Sequence, residues 1–308
     1  MALHQTSGRS GLGAALASIT VLSWGLLPLA LAVVVERLDP LTLTWFRMLM
    51  ATGVLGMILY VRGGLPDLHR LGGREWGLMA VAVLGLGGNY VLYVVGLSLT
   101  TPANAQVLTQ LSPLLLAIGG IVIFRERLGV VQWSGLLLVV VGLALFFADQ
   151  LAAFVDTADR YLLGSAVLAL CSVVWAFYGL AQKQLLVQLP SQGLMLCIYV
   201  GCVIGLSPFA RPVGLVGLNA LEWGLLIFCA LNTLVAYGAF AASLEHLEAS
   251  RVGAIIALTP LATFALVAVA HRVWPGALAP EHFSPLMLTG AGGVVVGSIM
   301  TSRDRRQR

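Results

Sequence analysis

Glu75-Trp76-Gly77-Leu78 opens a stretch that the chain writes twice. Residues Glu75 to Leu114 lie over Glu222 to Leu261 without a gap. The opening tetrapeptide recurs as Glu222-Trp223-Gly224-Leu225, Tyr90 falls on Tyr237, Leu97 on Leu244, and Leu111-Ser112-Pro113-Leu114 on Leu258-Thr259-Pro260-Leu261. About ten of the forty positions are identical. A constant offset held over that length marks an internal repeat, even in a chain this apolar.

Around the repeat the composition is that of a membrane protein. Of 308 residues 59% are hydrophobic and 10% charged, against about 25% charged in a soluble domain. The apolar residues come in blocks of roughly twenty, the length a helix needs to cross a bilayer. Ten spans are expected, at 12–36, 40–61, 76–98, 102–124, 129–147, 161–187, 191–209, 222–246, 249–270 and 285–301. The linkers between them carry breakers and charge, among them Asp39-Pro40, Arg62-Gly63-Gly64, Thr101-Pro102 and Leu189-Pro190. The longest linkers, 62–75, 148–160 and 271–284, read as loops. The first apolar run is too long for a signal-peptide core and reads as a retained span.

Arginine and lysine placement sets the expected orientation. With the N-terminus inside, twelve basic residues fall on cytoplasmic segments and four (Arg37, Arg160, Arg211, Arg272) on outer loops, with Arg47 within a span. Both termini are then cytoplasmic. The net charge of +4 therefore speaks to orientation and not to nucleic acid.

The repeat reaches beyond the opening stretch. Trp24 matches Trp175 in the first span of each half, Gly135 matches Gly290, and Val139-Val140-Val141-Gly142 matches Val294-Val295-Val296-Gly297. The unit is five spans, 12–147 and 161–301. Five is odd, so the second copy enters the membrane from the opposite side. Two inverted five-helix repeats, integrated in one all-α membrane domain, are a common frame for an alternating-access transporter.

Ten spans in two five-span repeats, a proline midway along the fourth and ninth (Pro113, Pro260), and Arg125-Glu126-Arg127-Leu128 leading into Gly135–Gly142 resemble the EamA-type drug/metabolite transporters. The likeness runs from about residue 13 to 300. It implies a secondary transporter of small metabolites, often an exporter, with a central cavity between the halves. The acidic position before the last span departs from the pattern, displaced by an insertion holding Trp274 and Pro275.

The candidate site residues follow from helical spacing. Trp24 and Trp175 sit near the middle of their spans, away from the ends where anchoring tryptophans lie, and either pack between repeats or line the cavity. Cys171, Trp175, Tyr178 and Gln182 share a face, as do Asn89, Tyr90 and Tyr93. An amide in hydrocarbon needs a partner, so Asn89 either bonds a neighbouring helix or meets a watery site. Its face has a counterpart in Asn232, Thr233, Tyr237 and Phe240. Gln106, Thr109, Gln110 and Pro113 line up on the fourth span, where the proline frees a carbonyl one turn earlier; Gly253, Ile256, Ala257 and Pro260 answer them on the ninth, and Pro113 and Pro260 are expected to break their helices at matching depths. Arg47 is a possible carboxylate partner; the more ordinary reading is an arginine that snorkels or ties helix ends together. Lys183 reads as a snorkelling interface residue, and Glu245, Glu248 and Arg251 as a solvated turn.

Other chemistries find little support. The four cysteines lie inside apolar blocks without CxxC spacing and read as small hydrophobes. All five histidines lie in loops or at span ends, which argues against an enzyme; no metal or cofactor is expected. No Asp or Glu lies mid-span, so proton coupling through a buried acid is not expected. The glycines, among them Gly85, Gly87, Gly88, Gly119, Gly120, Gly292 and the Gly293/Gly297 GxxxG pair, read as helix contacts. The expectation is an exporter of amino acids, with preference for aromatic or apolar ones, in the inner membrane if bacterial. Trp24, Trp175, Tyr90, Tyr93, Tyr178 and Tyr237 would supply stacking surface and Asn89, Gln106 and Gln110 would read the zwitterion, a set that resembles the YddG-type aromatic amino acid exporter branch. The alternative is a multidrug exporter of planar organic cations. The expected partners are a small-molecule substrate and the lipid bilayer, not nucleic acid; the oligomeric state is left open.

Overall fold

The computed structural model describes residues 9–112, 114–115, 118–119, 129–153, 158–246, 252, 255–275 and 284–301. Among these every regular element is helical: α1 (Ser10–Val34), α2 (Pro40–Val61), α3 (Gly73–Leu99), α4 (Pro102–Leu108), α5 (Val130–Ala153), α6 (Ala158–Leu185), α7 (Ser191–Leu206), α8 (Ala220–His246), α9 (Thr259–Val273) and α10 (Pro285–Thr301), with short 3-10 turns at Leu68–Arg70 and Pro212–Gly217. Five of the helices are long and apolar enough to cross a membrane by themselves, and shorter apolar helices accompany them.

Local chemistry fixes where the helices start. Asp39 caps α2, its Oδ1 accepting from the Leu41 and Thr42 amides at 3.1 and 3.0 Å, and Pro40 sits in the first turn, where no N–H is missed. Thr101 and Pro102 do the same for α4. The acid that opens each copy of the repeat is a capping residue. Glu75 Oε2 accepts from Gly72 N at 3.0 Å. Glu222 Oε2 accepts from Asn219 N at 2.8 Å while Asn219 Oδ1 accepts from Glu222 N at 2.9 Å. Glu222 also pairs with Arg37 at 3.3 Å.

Some boundaries differ from the expected ones. α5 continues to Ala153 and α6 begins at Ala158, so most of the linker 148–160 is helical. The fourth span is interrupted at Thr109–Gln110, and α9 starts at Thr259 after a turn at Ala257–Leu258. Pro260 therefore lies in the first turn of α9, where it starts the helix and does not break it. Pro113, Gly120, Arg125–Leu128, Glu248, Arg251 and Gly253 lie outside the described residues, as does the Lys183 side chain.

The packing is that of an inverted repeat. Helix contacts keep their pattern when each helix is exchanged with the one five places along: α3 packs along α6 as α1 does along α8, and α2 with α7, α4 with α9 and α5 with α10 are counterparts in contact. Counterparts run in opposite directions. Thr42 meets Arg211, Trp45 meets Ser207 and Gly56 meets Leu196, so α2 and α7 are antiparallel.

The α5–α10 contact closes on glycine. A Cβ at Gly135 would stand 2.7 Å from the Gly297 carbonyl, and one at Gly142 would stand 2.6 Å from that of Gly290. Since Gly135 corresponds to Gly290 and Gly142 to Gly297, each contact is the other's image. Elsewhere Gly85 lies against Tyr178 and Gly119 against the Leu180 side chain, while a Cβ at Gly292 would meet nothing within 4 Å.

The buried core divides by depth. Toward the α1–α2 junction Leu31, Leu43, Val94, Leu97, Phe146 and Leu226 belong to one cluster. Toward the α2–α3 junction Met48, Leu86, Tyr178, Leu194 and Tyr199 belong to another. Cys229 is on one side of the boundary and Tyr90 on the other, with Arg47 between them.

Candidate substrate site

Arg47 is the centre of this boundary. It lies about two turns into α2, only 2% exposed, and does not snorkel. Its Nε donates to the Cys229 carbonyl at 3.2 Å and its Nη2 to Thr233 Oγ1 at 3.3 Å, both on α8. Its guanidinium carbon stands 4.6 Å above the Tyr90 ring, a cation–π distance. Among the described residues no carboxylate pairs with it; the acid Glu222, at the start of α8, pairs with Arg37. A buried cation without a counter-charge is costly, and the carbonyl, hydroxyl and ring face offset part of that cost.

Aromatic side chains extend from the arginine in two directions. Tyr90 lies within electrostatic reach of Thr233 and Tyr237. The Tyr237 ring stands 5.4 Å from Trp24, edge to face, and Phe240 lies 6.0 Å from Trp24 on the same side. The repeat partners Tyr90 and Tyr237 are thus within electrostatic reach of each other. On the other side Tyr178 and Tyr199 are within electrostatic reach of Tyr90, and Tyr93 within that of Arg47 and Cys229. The Tyr178 hydroxyl and Gln182 Nε2 both approach the Met195 sulfur at 3.4 Å.

The remaining expected residues are placed less centrally. Asn89 bonds a neighbouring helix: its Nδ2 donates to the Cys171 carbonyl at 3.1 Å and contacts Cys171 Sγ at 2.9 Å. Trp175 packs at 6.3 Å from Tyr178, half-buried against the apolar cluster of the α2–α3 side. Gln106 and Gln110 are half-buried on and just after α4, and no side-chain hydrogen bond joins them to the arginine cluster among the described residues.

Three participants carry little signal in the sequence. Tyr199 corresponds to Met48 at the offset that matches Trp24 to Trp175, so the repeat does not flag it. Thr233 stands out only as part of a face. Pro28, within α1, has no N–H for the Trp24 carbonyl four residues earlier. The carbonyls on either side are taken up from other helices: Ser23 O accepts from Asn232 Nδ2 at 2.6 Å and Gly25 O from Thr263 Oγ1 at 3.2 Å. The arrangement can bind an anion at Arg47, take a flat apolar group among rings, and offer a carbonyl to a donor.

Comparison with known proteins agrees with this architecture. The chain is 36% identical over 299 residues to the uncharacterized inner membrane transporter YhbE of Escherichia coli, covering 97% of this chain and 93% of that one. It is 34% identical to an uncharacterized transporter of Haemophilus influenzae, over 94% of each. The aromatic amino acid exporter YddG of Ancylobacter novellus is similar at 24% identity over 67% of this chain and 72% of its own. A solved crystal structure shares the fold with a TM-score of 0.62 at 21% identity, covering 95% of this chain and 98% of that one. The family model described as the EamA-like transporter family matches twice, over residues 11–148 and 162–303. The chain belongs to the EamA-like transporter family, membrane transporters of small metabolites.

Proposed function

We propose that this carrier exports amino acids, preferring aromatic and other large apolar ones, across the inner membrane of a bacterial cell with both termini cytoplasmic. One observation carries the reading: Arg47 is 2% exposed, lies between the repeats, and has no acid partner among the described residues. A carboxylate fits a guanidinium edge with two parallel hydrogen bonds, and its charge removes the cost of the unpaired cation. The rings of Trp24, Tyr237 and Phe240 would hold the substrate side chain, and the Trp24 carbonyl would accept from its ammonium group. Asn89 then supports the α3–α6 contact, and recognition of the polar end passes from the amides to Arg47.

The distant relative named an aromatic amino acid exporter supports the same substrate class. A planar organic cation would suit the rings by cation–π contact but would meet like charge at Arg47, which is why this second reading is the weaker. We read the protein as a carrier and not an enzyme.

Flux into proteoliposomes tests the proposal. Labelled phenylalanine, tyrosine and tryptophan are expected to enter faster than into protein-free vesicles. Flux of a planar cation such as ethidium, with none of the three amino acids, sinks the reading in favour of the alternative.

A further inference from the structure

We propose that Thr233 and Arg47 form a lock between α8 and α2 in the empty carrier, and that a substrate carboxylate opens it. The inference rests on the reading of Arg47 as the carboxylate's partner. Three groups close on one another. Arg47 Nε donates to the Cys229 carbonyl at 3.2 Å, Arg47 Nη2 donates to Thr233 Oγ1 at 3.3 Å, and Thr233 Oγ1 donates to that same carbonyl at 3.3 Å. Arg47 and Thr233 are 2% and 1% exposed, so water does not compete for these bonds. The arginine belongs to the first copy of the repeat and both acceptors to the second.

The inverted interface lacks the device. Where α2 faces α8 with Arg47, Cys229 and Thr233, the corresponding positions on α7 and α3 are Ile198, Ala82 and Leu86. The tie there is a thiol, Cys202 Sγ to the Val83 carbonyl at 3.4 Å, a weak donor. A charged tie at one interface and a weak one at its image leave α2–α8 as the contact that resists rearrangement.

The tie uses the Nε–Nη2 edge of the guanidinium, one of the edges a carboxylate grips with two parallel bonds. A substrate on that edge displaces Cys229 O and Thr233 Oγ1, so loading and unlocking are one event. A ligand shifts a conformational equilibrium only through a difference in its contacts, and here that difference is the exchange of an internal tie for an external one. Thr233 acts through Arg47 and is a positioning residue.

The consequence is kinetic. An empty carrier must break the tie to reorient, whereas a loaded one has already done so. Phenylalanine exchange, with substrate on both sides of the vesicle, is expected to exceed net flux into empty vesicles by about tenfold, the worth of a hydrogen bond to a charged group. In Thr233→Val, which keeps the shape and removes the acceptor, that ratio falls severalfold toward one. Thr233→Ala carries the same expectation, and Thr233→Ser restores the wild-type ratio. A wild-type ratio of one overturns the lock. So does an unchanged ratio in whichever of the Val and Ala variants exchanges phenylalanine. Absence of phenylalanine flux in both modes overturns the lock together with the substrate reading, so the two failures are told apart.

Discussion

The α1–α8 and α3–α6 interfaces are images of one another, and they agree in backbone contacts while differing in their rings. Thr20 Oγ1 donates to the Ala236 carbonyl at 3.2 Å, and Cys171 Sγ, the residue matched to Thr20, donates to the Asn89 carbonyl at 3.4 Å. The two acceptors are themselves matched through the repeat. The aromatic contacts break that correspondence. Trp24 meets Tyr237 at 5.4 Å, yet Trp175 pairs with Tyr178 while Tyr90 lies beneath Arg47. A similar contrast appears where Asn232 reaches the Ser23 carbonyl and its counterpart Gly85 lies directly against Tyr178. Symmetric hydrogen bonds and glycines build the frame, and under the proposed function a single arginine makes one side of it a site.

This contrast separates variants that break the frame from those that break the site. The largest effect is expected at the self-matched contact of α5 and α10. Gly142→Val and Gly290→Val each force a side chain into a carbonyl 2.6 to 2.7 Å away, a loss of about 3 kcal/mol in stability. Both variants should melt lower in detergent by equal amounts, because they crowd one and the same contact. A wild-type melting temperature in either would remove the contact from the account.

The two matched tryptophans should then part company. Trp24→Ala is expected to reduce phenylalanine transport roughly fivefold, about 1 kcal/mol for lost ring contacts, with a modest change in melting. Trp175→Ala, against the apolar cluster, should lower melting and leave the KM of the protein that remains folded near wild type. Equal effects of both on KM would put the site on both sides of the pseudo-twofold. The smallest effect is expected at Thr20 and Cys171. Thr20→Val and Cys171→Ala each lose one bond to a carbonyl, below about 1 kcal/mol, with little change in transport. Asn89 keeps the Cys171 carbonyl as its acceptor in the second case.

Much of the frame was legible because it rests on residues with local meaning. Glu75 and Glu222 recur because each closes the start of its helix, so the duplication was visible at its first residue. Gly135, Gly142 and their counterparts stand out because no larger residue fits. The site was less legible. Arg47 near a span end looks the same in sequence whether it reaches to the headgroups or inward; only the fold brings Cys229 and Thr233 beside it. Tyr199 escaped because its counterpart, Met48, has no ring to match. Asn89 and Trp175 were legible as a polar and an aromatic group within a span, but which neighbour they serve is decided by helix packing. The linker 148–160, with its three aspartates, reads as a loop, yet α5 runs into it to Ala153, because charge alone does not end a helix that has passed the apolar layer.

The central claim is that Arg47 receives the carboxylate of an aromatic amino acid. Equilibrium binding of L-phenylalanine and phenethylamine to the purified protein tests it most directly, since the two share a ring and an amine and differ in the carboxylate. Phenylalanine should bind at least about thirtyfold more tightly, a difference of roughly 2 kcal/mol for a buried charge pair, and Arg47→Gln should abolish that preference. Phenethylamine binding as tightly as phenylalanine to the wild-type protein would contradict the account.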